Sequence, residues 1–178
     1  MRVSLKNPPV SSATKPVAWF FPERETDFGS ACNNAFTDLL LEFGLHPLTA
    51  FSDVFYLHED GSSKPSAGNT QGAIREFELC SATPQTEYFV LVGGDVVRFL
   101  IGNRKKQNLS SLIGREVYPD ICGNKPMLVL PDLTGLRYEE TGDRRTDWRA
   151  QNLCNELTTK MRVHLNTLAG LLRKKRLL

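Results

Sequence analysis

"YFVLVGGDVVRFLIG", Tyr88 to Gly102, decides the fold. Tyr88 to Val92 is apolar throughout, mostly aromatic and β-branched, and is bounded by turn residues, as a strand buried on both faces would be. Gly93-Gly94 breaks the run. The residues after it, to Ile101, regain a helical spacing before Gly102 stops them. A buried strand turning through glycines into a helix is one half of a parallel strand–helix–strand unit.

The same alternation extends in both directions. Upstream, Pro16 to Phe21 is a short apolar run, and Ser30 to Phe43 is a helix with Phe36, Leu39, Leu40 and Phe43 on one face. Gly44 is placed to terminate it. Phe51 to Leu57 is the next strand, His58 to Gly72 a polar loop, and Gln71 to Ser81 a helix. Downstream, Gly102 to Glu116 is a basic loop. "EVYPDICGNKPMLVLPDL" spells a hairpin around Gly123-Asn124, with Met127 to Leu130 as its core strand. The last helix starts near Thr146. Trp148, Leu153, Leu157, Met161, Leu165, Leu168 and Leu172 form its apolar face. The expectation is an α/β fold with a mainly parallel central sheet, in which ligands sit outside the carboxyl ends of the strands.

Composition agrees with one domain. The chain has 178 residues, 40% of them hydrophobic and 24% charged, which is enough for one sizeable core. Met1 to Lys15, rich in Pro and Ser, is expected to be a loose arm, residues 16–172 the domain, and residues 173–178 a basic tail. The first fifteen residues lack the apolar core of a signal peptide, and no run is long enough to span a bilayer. An intracellular, soluble protein with no membrane contact is expected. The net charge of +2 does not by itself demand a polyanionic partner. The four cysteines are Cys32, Cys80, Cys122 and Cys154. None pairs as CxxC or CxH, so they are expected to be buried thiols, with no metal site.

Three pieces, in order, resemble the uracil-DNA glycosylase superfamily and its family 4 branch. "DFGSACNNAFTDLLLEFGL" is similar to that family's Pro-Phe-x-Gly segment and first helix. "YFVLVGGDVVRFLIG" is similar to its strand, Leu-Gly turn and following helix. "LSSLIGREV" and then "PMLVLPDLTGLRYEETGDRRTDWRAQNL" are similar to its Arg-Gly loop, last strand, catalytic loop and final helix. The resemblance covers roughly Pro16 to Leu157 and implies a three-layer α/β/α fold that acts on DNA.

The departures concern the chemistry. The family's first motif carries a water-positioning acidic residue or Asn; the matching stretch is Trp19-Phe20-Phe21-Pro22-Glu23, where Pro22 matches and Phe20 fills the carboxylate's place. The family's last motif carries a His that stabilises the departing base, and Thr134 falls near that place. His58 stands where the family has a base-reading Asn. Phe28 matches its stacking Phe. The cluster cysteines are not reproduced apart from Cys80, so no cofactor is expected.

On this resemblance His58, Asp132 and Glu23 are the candidates for chemistry. Phe20, Phe21, Pro22, Phe28 and Thr134 are the candidate walls of a base pocket. Gly93 and Gly94 let a phosphate approach a helix start. Arg104, Lys105, Lys106, Arg137, Arg144 and Arg145 are candidate phosphate contacts, with Arg149 and the terminal Arg-Lys-Lys-Arg run as further basic groups.

Each has a plain structural alternative. Phe28 can staple a helix, His58 can be a solvated loop residue, and Glu23 can favour the dipole of the next helix. Asp132 can make an Asx turn, and Thr134-Gly135 a simple turn. The terminal basic run can be a solvated tail.

Loss of both the acidic and the His positions removes most of the transition-state stabilisation, since such groups contribute about 10²–10⁴-fold each. The expected function is therefore binding of DNA or a flipped base without excision of ordinary uracil. A divergent glycosylase, a small nucleotide or nucleoside hydrolase, and a module whose true ligand is a protein partner stay open.

Overall fold

A computed structural model describes residues 14–23, 30–45, 51–58, 64–102, 109–136, 138 and 140–178. The strands are β1 (Val17–Glu23), β2 (Ser52–His58), β3 (Tyr88–Val92), β4 (Glu116–Val117) and β5 (Met127–Leu130). The helices are α1 (Ser30–Glu42), α2 (Gln71–Ala82), α3 (Gly94–Leu100), the single turn α4 (Leu109–Leu112) and α5 (Arg144–Lys174). The sheet runs β2-β1-β3-β5-β4, parallel except for the short edge strand β4, which is antiparallel to β5. The α/β expectation holds, with the strand order reversing direction beside β1.

The three layers follow from strand periodicity. Alternate residues of a strand point to opposite faces. Val17, Trp19, Phe21, Tyr88, Val90, Val92, Leu128 and Leu130 lie under α1 and α5. Ala18, Phe20, Leu57, Phe89, Leu91, Met127 and Val129 lie under α2 and α3. Both faces are covered, so the central strands show no polar alternation. The buried Trp19 indole Nε1 donates to Ser52 Oγ at 3.3 Å, which satisfies both polar groups. Lys125 Nζ donates to Cys80 O at 2.9 Å and also to Thr83 O, placing a cation on the last carbonyls of α2.

Several expectations are corrected. The basic loop 102–116 contains the turn α4, and the hairpin partner of β5 is only two residues long. Gly123 and Asn124 do have positive φ, as a tight reversal needs. The loose arm lies outside the described residues except for Thr14 and Lys15, whose N–H groups donate to Asp53 Oδ2 at 2.6 and 2.8 Å. The terminal basic run is not a free tail. α5 continues to Lys174, Leu177 is buried, and Lys175 pairs with Glu116 at 3.6 Å because its apolar neighbours draw the chain end onto the sheet. Among the described residues, no helix is long and apolar enough to cross a membrane.

α5 is also far longer than the sheet it covers. Its 31 residues extend about 46 Å, whereas strands of four to seven residues reach roughly 13–23 Å. Met161, Leu165, Leu168 and Leu172 are buried on the sheet, but Trp148 and Leu153 are 63% and 52% exposed. The apolar face expected along the whole helix is therefore a core face only in its second half.

His164 on α5 lies against the backbone of Gly114, and burial lowers its pKa. A depressed imidazole pKa means that the fold prefers the neutral ring. Its contribution to stability is present above the unfolded value of about 6.5 and is lost as pH falls through the folded pKa. Urea unfolding at pH 7.5 and pH 5 is expected to show a smaller acid-induced loss in His164→Gln than in the wild type. Equal losses would remove His164 from the pH dependence.

Candidate functional site

The carboxyl ends of the parallel strands bring together Glu23 of β1, His58 of β2, Gly93 after β3 and Asp132 after β5. Glu23 and His58 are register partners on adjacent strands, which puts their backbones about 4.8 Å apart. Asp132 is three strand positions from His58, about 14 Å away. These residues therefore do not converge on one reacting atom. Glu23 with His58, and Gly93 with Asp132, form two separate places.

At the second place the expected anion cradle is already filled by the chain itself. Gly94 N–H donates to Asp132 Oδ1 at 3.0 Å. A Cβ on Gly93 would come within 2.5 Å of the same oxygen, and one on Gly94 within 2.7 Å of Leu109 Cδ2. The two glycines permit close packing of strand ends around a carboxylate, where the sequence suggested a phosphate. Asp132 thus has a capping role at the start of α3, and Thr134 is exposed on the turn beyond it.

The aromatic wall expected at β1 is core. Phe20 is 0% exposed and packs on Phe55, Phe77 and Phe89 at ring-centroid distances of 4.9, 5.5 and 6.4 Å. No part of it is left for a ligand. Phe21 is buried on the opposite face against Trp19, Phe36 and Tyr56. Pro22 is half-buried at the strand end. A strand that pairs on both edges and is covered on both faces buries every side chain along its length. Phe28, Arg104, Lys105, Lys106 and Arg137 lie outside the described residues, as does the side chain of Glu23.

Among the described residues, open space lies at the outer edge of the sheet. A cleft of about 350 Å³ runs between β2 and the first half of α2, lined by residues 54–58 of the strand and by Asn69, Gly72, Ala73 and Glu76. His58, 4% exposed, stands at its end. The volume is near the lower end of the 300–1,000 Å³ typical of small-ligand pockets, a size for one planar ring system and little more. The ring on this face of β2 is that of Phe55, since Tyr56 packs against Phe21 on the other face; His58 and Glu76 add an imidazole and a carboxylate, and the Asn69 amide is held by Ser66 and Lys64 O. Such a set can stack on a planar heterocycle and hydrogen-bond to its edge.

Tyr56, Asn69 and Glu76 were not singled out from the sequence. Glu76 gives no local signal, because it reads as the polar side of a helix whose buried residues are Ala73, Phe77 and Cys80. Only the approach of α2 to the edge strand turns it toward the cleft.

The side chain of Cys32 lies outside the described residues, and the three described thiols carry no site. Cys80, Cys122 and Cys154 are unbridged, and burial pushes the Cys122 thiol up to about 12, far from a reactive thiolate. Among the described residues no three metal-ligating side chains stand together. Arg144, Arg145 and Arg149 are exposed near the start of α5. No protein-family model matches the chain, and no curated protein matches it significantly.

Proposed function

We propose that this protein binds nucleic acid and holds a single nucleobase in the cleft between β2 and α2, without excising ordinary uracil. The observation that carries the reading is the cleft itself: a ring-sized space with the aromatic Phe55 on its wall and the polar His58 and Glu76 in its lining. The motif order that resembles the uracil-DNA glycosylase superfamily and the exposed arginines of α5 support it. The case against uracil excision rests on Phe20, which fills the water-positioning place and is buried.

A second reading has its own support. Glu76 and His58 line one cleft, and a carboxylate with an imidazole is the usual equipment for general acid–base hydrolysis. Under that reading the protein is a divergent glycosylase or a small nucleoside hydrolase.

One set of samples separates these readings. Single- and double-stranded DNA, with and without uracil, are titrated across a salt series and probed for abasic sites, while free nucleobases are titrated by NMR. Salt-dependent binding, perturbation of cleft resonances by a base, and no abasic sites are expected. His58→Ala and Glu76→Gln are each expected to weaken free-base binding about tenfold, the value of one charge-assisted hydrogen bond. Abasic sites that disappear in Glu76→Gln would replace binding by hydrolysis. Base binding unaffected by either substitution would remove the cleft from the function.

A further inference from the structure

We propose that the part of α5 reaching beyond the sheet is a docking surface for single-stranded nucleic acid, with Trp148 as its stacking ring and Arg145 and Arg149 as its phosphate contacts. The proposal deepens the nucleic-acid reading above and rests on it.

The overhang is defined by packing. Cys154 Sγ donates to Leu136 O at 2.9 Å, and Gly135 packs against Leu157, so the turn after β5 meets α5 at residues 154–157. Residues 144–150 continue past that turn on the carboxyl side of the sheet. Trp148 sits there, 63% exposed. A large ring left in water beside a second exposed apolar residue, Leu153, is the kind of surface that a partner covers.

Charge selects the partner. α5 has seven basic residues and two acidic ones, of which Arg144, Arg145, Arg149 and Asp147 lie in the overhang, with the exposed Glu140 just before it. Both acidic side chains of the helix are occupied. Asp147 accepts from Thr141 N, Thr141 Oγ1 and Gly142 N, and Glu156 pairs with Lys160 at 2.6 Å. The nearby Asp143 carboxylate caps Thr146 N. Arg145 and Arg149, both exposed, have no ion-pair partner among the described residues.

Spacing completes the surface. Arg145, Trp148, Asn152, Asn155 and Thr159 follow at intervals of three and four, the repeat of one helix face, and all are exposed. The stripe holds a ring, a guanidinium and two amides, and no carboxylate. A ring can reach the face of a base only where the base is unstacked, which favours a single strand over an intact duplex. A second copy of the same basic overhang would meet it with like charge.

The test uses the intact protein and a labelled oligothymidylate, with a duplex of equal length as comparison. Trp19 is buried, so quenching of exposed tryptophan emission reports Trp148. The wild type is expected to bind the single strand more tightly than the duplex, with quenching. Trp148→Ala is expected to weaken single-strand binding by roughly 10- to 100-fold, and Trp148→Phe, which keeps a ring, by only about threefold. The double substitution Arg145→Gln/Arg149→Gln should reduce the slope of log affinity against log salt by about 1.4. Salt-dependent binding that Trp148→Ala leaves unchanged would overturn this surface and leave the nucleic-acid reading standing. Equal affinity for the duplex would overturn the single-strand assignment. Absence of oligonucleotide binding by the wild type would remove both readings, and dimerisation abolished by Trp148→Ala would assign the surface to self-association.

Discussion

Phe20→Ala is expected to destabilise the protein by about 3–5 kcal/mol, the range for removing a fully buried aromatic ring. The ring is at the centre of an aromatic group formed with Phe55, Phe77 and Phe89, contributed by three strands and α2. Truncation removes the buried apolar area and leaves a cavity that four elements would have to close. In a chain of this length the loss corresponds to a fall in melting temperature of roughly 6–20 °C. Urea and thermal unfolding of the variant measure it directly. A loss below about 1 kcal/mol would mean that Phe20 is not the core residue described, and would reopen its place at the head of β1 as part of a ligand site. Phe20→Leu, which keeps an apolar side chain, should retain most of the stability.

Gly93→Ala is expected to cost about 3 kcal/mol or more, for two separate reasons. Gly93 has φ 90° and ψ 160°, a region that side-chain-bearing residues avoid at a cost of about 1–3 kcal/mol. Its added Cβ would also lie 2.5 Å from Asp132 Oδ1. Asp132 can relieve the clash only by leaving Gly94 N–H, which forfeits a charge-assisted hydrogen bond of about 1.5–3 kcal/mol. A double-mutant cycle with Asp132→Ala separates the terms. The combined variant should be less destabilised than the sum of the two single ones, because the clash is gone and the loss of the Gly94 N–H bond to Asp132 is counted once instead of twice, beside the backbone strain. Strict additivity would show that the carboxylate and the glycine do not meet, and would return the Gly93-Gly94 turn to consideration as an anion cradle.

Much of the fold was legible because the chain alternates two periods. The five residues of β3 are bounded to the residue, since an unbroken apolar run rich in β-branched and aromatic residues between turn residues reads as a buried strand. α1 and α2 were found within a residue or so at each end from their apolar spacing. α5 starts at Arg144, two residues before the Thr146 that its sequence suggests. Asp143 caps it by accepting from Thr146 N, and an acidic residue in a charged stretch does not declare itself as a cap.

The candidate site was less legible. His58 was singled out and does line the cleft, but Tyr56, Asn69 and Glu76 were not, because each is unremarkable within its own element. Phe20 stands out through its alignment with a family motif and Asp132 through its place directly after a strand, and neither ground conveys which face of a strand is covered or which N–H a carboxylate meets.

By itself, then, the sequence determined the order of strands and helices, the parallel sheet, and the buried character of its centre. These depend on local periodicity, which neighbouring residues encode together. The tertiary structure decided three further things. β2 became an edge strand whose meeting with α2 leaves a ring-sized cleft. Asp132 reached across from β5 to occupy the turn after β3. α5 outran the sheet and left Trp148 in solvent. Each depends on the distance between elements far apart in the chain, and periodicity fixes the face that a residue occupies but not what lies opposite it.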